Sequence, residues 1–133
     1  MRILFSILIV AVSGPASAQS IAFAQAVEQS WGIGTGATIE DATQAARSNC
    51  VAEGGFPEDC IVTTACEIAG HSVDVFLQHR EGPHWHETHC GLPDRATAEA
   101  VGETLCDGSL RPYLIECMVS QIWSPDGTPL IEW

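Results

Sequence analysis

Apolar positions in this chain change period several times, and each change marks an element. Residues 3–12 are apolar except for Ser6. From residue 39 the spacing becomes helical: Ile39, Ala42, Ala45, Ala46, Asn49 and Cys50 recur at i, i+3 and i+4 on one face. Thr38 stands at the N-cap position, Glu40 and Asp41 occupy the first turn where the macrodipole favours acids, and Gly54-Gly55 with Pro57 stop the helix, which predicts a helix over 39–53. Residues 60–67 are β-branched and alternating, and Gly70 turns the chain into 72–79, where Val73, Val75 and Leu77 form one face. After Glu81-Gly82-Pro83 the pattern starts again. It predicts a strand at 84–90, a helix opened by Asp94 or Thr97 and ending near Asp107-Gly108, and a strand at 113–123. A turn at Ser124-Pro125-Asp126-Gly127 then leads to a hairpin partner at 128–133.

The first stretches are less sharply patterned. Residues 19–26 read as a small-residue lead-in, loosely structured or helical, and 27–33 as a short strand anchored by Trp31. Gly32, Gly34 and Gly36 lack the spacing and the Lys-Ser/Thr of a phosphate loop, so they read as turn glycines. The fold class expected is α+β, with two β-α-β-β-like halves, an antiparallel sheet and two short helices. Self-similarity near a 55-residue period, with pseudo-repeats at about 27–80 and 84–133, suggests a duplication. Trp31 and Trp85 precede their helical cysteines by nineteen and twenty-one residues, and Cys66 and Trp123 each follow the second cysteine of their half by six.

Met1-Arg2, the apolar run and Ala16-Ser17-Ala18 together form a signal peptide over residues 1–18, too short and wrongly flanked for a membrane span. Residues 19–133 then form a single domain, periplasmic or secreted, with no membrane insertion after cleavage. Without Arg2, four arginines face seventeen acids, a net charge of −13 with histidines neutral, and there is no lysine. That field excludes nucleic acid and anionic lipid and favours a cationic partner or a metal ion.

Export makes the six cysteines candidates for bridges. A helix running directly into a strand sets its C-terminus beside the strand start, so Cys50 should meet Cys60 and Cys106 should meet Cys117. Cys66 and Cys90 remain, and a bond between them would tie the halves together; other connectivities stay open. If 60–67, 72–79 and 84–90 form a simple meander, the outer strands lie about 9.6 Å apart. A disulfide needs Cα atoms within about 7 Å, so this third bond requires the middle strand to lie elsewhere. No Cys-x-x-Cys occurs, which argues against redox catalysis.

Trp31-Gly32, the Ala-rich helix ending at Cys50, the Gly54-Gly55 stop, Cys60-Ile61-Val62 and Cys66-x-x-Ala69-Gly70 resemble the domain of unknown function 4189 family of small exported bacterial proteins. The likeness covers about residues 27–75. It implies export and a cysteine-stapled fold, and it implies no activity or catalytic residue.

Chemistry is concentrated at His79, His84, His86 and His89, four of the five histidines within eleven residues. His84 and His86 share a strand face, and a four-residue loop at 80–83 would set His79 opposite His84. The imidazoles of His79, His84 and His86 would then converge on zinc or copper, with Glu81, Glu87 or Asp94 as a further ligand or support. His84-Trp85-His86-Glu87-Thr88-His89 also resembles the H-x-H-x-D-H signature of metallo-β-lactamase-type hydrolases, but the chain is far too short for that fold. Ser109, Ser120 and Ser124 lie in no nucleophile elbow. The leading reading is a non-enzymatic binding module for an unknown protein or small ligand, with Trp85, Trp123 and Trp133 as candidate contacts and no cofactor. A periplasmic zinc- or copper-binding protein is the alternative, and a small metal-dependent hydrolase the third.

Overall fold

The computed structural model describes residues 19–133, so the predicted signal segment lies outside the described residues. The fold is α+β, with two three-stranded antiparallel sheets, two helices and three disulfides. In chain order the elements are β1 (Ser20–Ala26), β2 (Ser30–Gly36), α1 (Ile39–Ala52), β3 (Ile61–Cys66), β4 (His71–His79), β5 (His84–Leu92), α2 (Arg95–Leu105) and β6 (Leu114–Trp123). Each half is therefore a β-hairpin, a helix and a strand returning to the first strand of the hairpin. The sheet orders are β2-β1-β3 and β5-β4-β6. Both halves run β-β-α-β where the sequence suggested β-α-β-β, so the first begins at β1 and not at residue 27.

The lead-in at 19–26 is the reason for the shift. It is a strand buried along its whole length at the centre of the first sheet. Its residues do not alternate apolar with polar because both faces are covered. Ala22, Ala24 and Ala26 pack with Ala42, Ala46 and Cys50 of α1, whereas Ile21 and Phe23 pack with Trp123 and Ala69 toward the second half. The strand expected at 27–33 starts instead at Ser30, after a turn in which Glu28 takes a left-handed φ of 63°.

Gly32 and Gly34 are strand residues, not turn glycines. A Cβ on Gly32 would lie 2.3 Å from the Cys50 backbone nitrogen, and one on Gly34 would lie 2.2 Å from that of Ala46. The alternating glycines strip one face of β2 of side chains and let α1 lie on its backbone. Both helices begin as expected. The Thr38 hydroxyl accepts from the Asp41 amide at 3.1 Å, and Asp94, not Thr97, caps α2 by accepting from the Thr97 amide at 2.8 Å.

All three expected disulfides form: Cys50–Cys60, Cys66–Cys90 and Cys106–Cys117, with Cα separations of 6.0, 6.1 and 5.3 Å. The first and third clip each helix end to the following strand. The second joins β3 to β5, and it is free to do so because β4 belongs to the other sheet. Thr64 Oγ1 reinforces the same seam by donating to the Thr88 carbonyl at 3.0 Å. The final segment makes only a single bridge, Trp123 to Pro129, in place of a full hairpin partner. It is held by the Leu130 amide donating to the Ile122 carbonyl and by both ends of the Gln121 amide bonding Ile131.

Candidate functional site: a cleft between the two halves

The histidine hairpin forms, but with a register one residue away from the expected one. Gln78, not His79, stands opposite His84, and Phe76 stands opposite His86. A one-residue slip in a strand moves a side chain to the other face. His79 accordingly pairs with Leu114 of β6, and its ring lies 5.4 Å from Tyr113, while His84 and His86 lie 5.5 and 5.7 Å from the ring of Phe76. The three imidazoles predicted to hold zinc or copper do not converge. Among the described residues no group of three or more His, Cys, Asp or Glu side chains is placed to hold a metal ion.

What the register creates instead is a buried polar dyad. Asp74 lies on the central strand β4, fully buried, and faces the other half of the molecule together with Phe76, His86 and Thr88. His86 Nδ1 is 2.6 Å from Asp74 Oδ2, and the Ser120 hydroxyl of β6 donates to the same oxygen. Asp74 Oδ1 has no partner among the described residues. A carboxylate accepts only, so Nδ1 carries the proton, and in the neutral ring Nε2 is left as an acceptor on the side away from Asp74. The ring stacks on Trp31 of β2, with centroids 5.9 Å apart and planes 30° apart. Gln25 of β1 grips the main chain of His86 from the opposite half: its Nε2 donates to the His86 carbonyl at 3.0 Å, and its Oε1 accepts from the His86 amide at 2.7 Å. The imidazole is thus fixed at both its ring and its backbone.

Beside this ring lies a cleft of about 130 Å³ between the halves, lined by Gln25, Glu28, Trp31, His84, Trp85 and His86 among others. Glu28 reaches across the seam from the strained β1–β2 turn. Its Oε1 accepts from the His84 amide at 3.2 Å and lies 3.8 Å from His84 Nδ1. The cleft adjoins a larger groove of about 560 Å³ between β2 and the C-terminal half of α1, with Gln29, Ser30 and Trp31 common to both, Glu53 on the α1 side near Ser30 and Asn49 further along beside Ile33. Asn49 Nδ2 donates to the Ile33 carbonyl at 2.7 Å, which fixes the direction of the β2 edge. Backbone groups of Trp31, Ile33 and Thr35 point away from β1, since polar groups alternate in direction along an antiparallel strand. No arginine lines either space.

Among the tryptophans, Trp123 is core, 3% exposed and packed on Phe23 and Trp31 at 5.2 and 5.6 Å. Trp85 is opposite the buried Leu77, on the sheet face that carries α2, and its indole donates to Glu87. Trp133 is 83% exposed. Trp31 and Trp85 both line the cleft, and it is the Trp31 ring that stacks on His86; the sequence alone marks Trp31 only as a strand anchor. Its signal was the alternation Trp31, Ile33, Thr35 set between glycines, which puts every large side chain of β2 on one face. Comparisons with protein-family models, with curated proteins and with solved structures returned no match.

Proposed function

We propose that the protein is an exported, non-catalytic binding module that takes an extended segment of another protein along the edge of β2. The observation that carries this reading is the coincidence of a groove with a strand edge that has no strand partner, although its Ile33 carbonyl is held by Asn49. Sheets ordinarily protect their edges with lysine, proline, a bulge or a covering element. β2 has none of the first three, and the groove runs beside its outward-facing backbone groups. Strand addition draws affinity from main-chain bonds and specificity from pockets for alternate side chains; the cleft at Trp31 and His86 is such a pocket. A catalytic role draws no support from the Asp74–His86 pair, because the Ser120 hydroxyl is spent on Asp74 and not on the imidazole. The disulfides suit a rigid, pre-organised receptor, which lowers the ordering cost of binding.

Selection of extended peptides from a displayed random library on the oxidised protein tests this reading. Selected peptides should shift the amide resonances of Trp31, Ile33 and Asn49. Ile33→Pro should abolish their binding without unfolding the protein, because the amide it removes points away from β1. Peptides that bind Ile33→Pro as well as the parent, or that map to another face, refute strand addition at β2.

A further inference from the structure

We infer that the cleft beside His86 takes a cationic side chain, a guanidinium above all, from the bound segment. This rests on the β2-edge reading and adds the chemistry of its anchor residue. Four features of the cleft agree on it. Its volume, about 130 Å³, is several times the roughly 10–15 Å³ that one water needs on the same measure, so a side-chain head group fits. One wall is the carboxylate of Glu28, about half exposed and already held by the His84 amide. A second wall is the indole of Trp31, a ring whose face attracts cations. The third is His86, which lines the cleft and whose Nδ1 is taken up by the buried carboxylate of Asp74. An ordinary histidine offers a donor or an acceptor; this one, with Nδ1 committed, presents only an acceptor while neutral. A planar donor with several N–H groups matches a carboxylate and a ring nitrogen held at fixed positions.

The surroundings point the same way. The protein carries an excess of twelve negative charges, and three of the described arginines are engaged elsewhere: Arg95 with Glu99, Arg111 with Glu87, and Arg47 with the Pro57 carbonyl. Arg80, in the β4–β5 loop, is not among the residues lining the cleft, and Glu53, at the Ser30 end of the groove, adds to the negative lining. The larger depression on the outer face of α1, lined by Arg47, Val51 and Pro57, has neither a carboxylate nor an aromatic wall and offers no such match.

Two capped five-residue peptides of valine and threonine test the inference, one with a central arginine and the other with citrulline, its neutral isostere. Titration into ¹⁵N-labelled oxidised protein should show the arginine peptide binding about tenfold more tightly, the combined effect expected of a partly exposed ion pair and a cation–π contact. The Trp31 indole N–H should shift. Glu28→Gln should reduce the preference to about threefold or less with an unchanged thermal midpoint, because its amide oxygen still accepts from His84. If both peptides shift Ile33 and Asn49 with equal affinity, the edge reading stands and the cationic anchor is wrong. If neither peptide perturbs Trp31, Ile33 or Asn49 at millimolar concentration, both are wrong. An arginine preference that survives Glu28→Gln in full also overturns the inference.

Discussion

Gly34→Ala adds one methyl group to a half-stripped strand, and its consequence follows from geometry. The new Cβ would sit 2.2 Å from the Ala46 nitrogen and 2.3 Å from the Ala42 carbonyl oxygen. Ordinary contact begins near 3.4 Å, so the α1 backbone must retreat by more than about 1 Å, and backbone cannot rotate aside as a flexible side chain can. A gap of that size forfeits about a quarter to a half of the dispersion energy of the lining atoms. Those atoms are the Ala22, Ala24, Ala26, Ala42, Ala46 and Cys50 contacts that form the core of the first half. Overpacking costs about 1–3 kcal/mol in general, and a clash with backbone on a surface made only of small residues belongs at the upper end. With a urea dependence of about 2 kcal/mol per molar, the unfolding midpoint should fall by about 1.5 M with all disulfides intact. Gly108→Ala is the control, since a Cβ there meets nothing within 4 Å, and it should leave the midpoint within about 0.2 M. A Gly34→Ala midpoint equal to that of the parent would refute the packing of α1 directly on the β2 backbone.

The Cys66–Cys90 bond closes a loop with a sequence separation of 24; replacing both cysteines with alanine should cost about 3.5 kcal/mol in the chain-entropy model, read by chemical denaturation, and peptide mapping of unreduced protein should recover all three bridges and no free thiol. Asp94 accepts from the backbone and hydroxyl of Thr97, which holds its carboxyl below the ordinary range. Its contribution to α2 is therefore complete above the ordinary carboxylate range and lost as pH falls through the lowered folded value. Amide exchange in α2 should accelerate across that acidic window in the parent, and Asp94→Asn should flatten the dependence. Calorimetric titration with zinc or copper should show no sub-micromolar site, because His79 faces away from His84 and His86; tight binding lost on His84→Ala would contradict that geometry.

Much of this fold was legible from short-range signals. The caps at Thr38 and Asp94, the Gly54-Gly55 stop and the helix-to-strand runs into Cys60 and Cys117 are local chemistry, and local chemistry is written in sequence. Register and strand order are set by contacts distant in the chain and are not written in local sequence. The β1 segment hid because burial on both faces erases alternation. Gly32 and Gly34 mimicked a loop because what demands glycine is a helix backbone lying across the strand. His79 was misplaced because the hairpin loop is longer than expected by one residue, and the pleat converts a single residue into a change of face. Trp31 and Trp85, matched by spacing, fall on faces that are not equivalent: Trp31 opposes Gln25 toward the seam, and Trp85 opposes Leu77 on the α2 side. The Asp74–His86 pair was invisible because Asp74 reads, in an alternating strand, as an ordinary solvent-facing polar position.

That carboxylate poses the remaining physical question, since a buried charge is expensive unless it serves a purpose. Between two sheets, Asp74 loses its hydration and regains two hydrogen bonds, with Oδ1 left over. Apolar side chains of similar volume would hold the seam at least as well, because replacing a buried polar constellation as a unit is often neutral or stabilising, whereas removing one partner costs about 3–5 kcal/mol. A pair of variants separates folding from function. His86→Phe alone leaves the Asp74 carboxylate with the Ser120 hydroxyl as its only partner and should destabilise by about 3 kcal/mol or more. Asp74→Leu, His86→Phe and Ser120→Ala together remove every member of the constellation and should recover stability to within about 1 kcal/mol of the parent. If Asp74 is retained to present His86 as an oriented acceptor, this stable triple variant keeps peptide binding at the β2 edge but loses most of the arginine-over-citrulline preference. A triple variant that folds and discriminates as well as the parent would assign the dyad no part in recognition and leave Glu28 and Trp31 as the whole of the cation site.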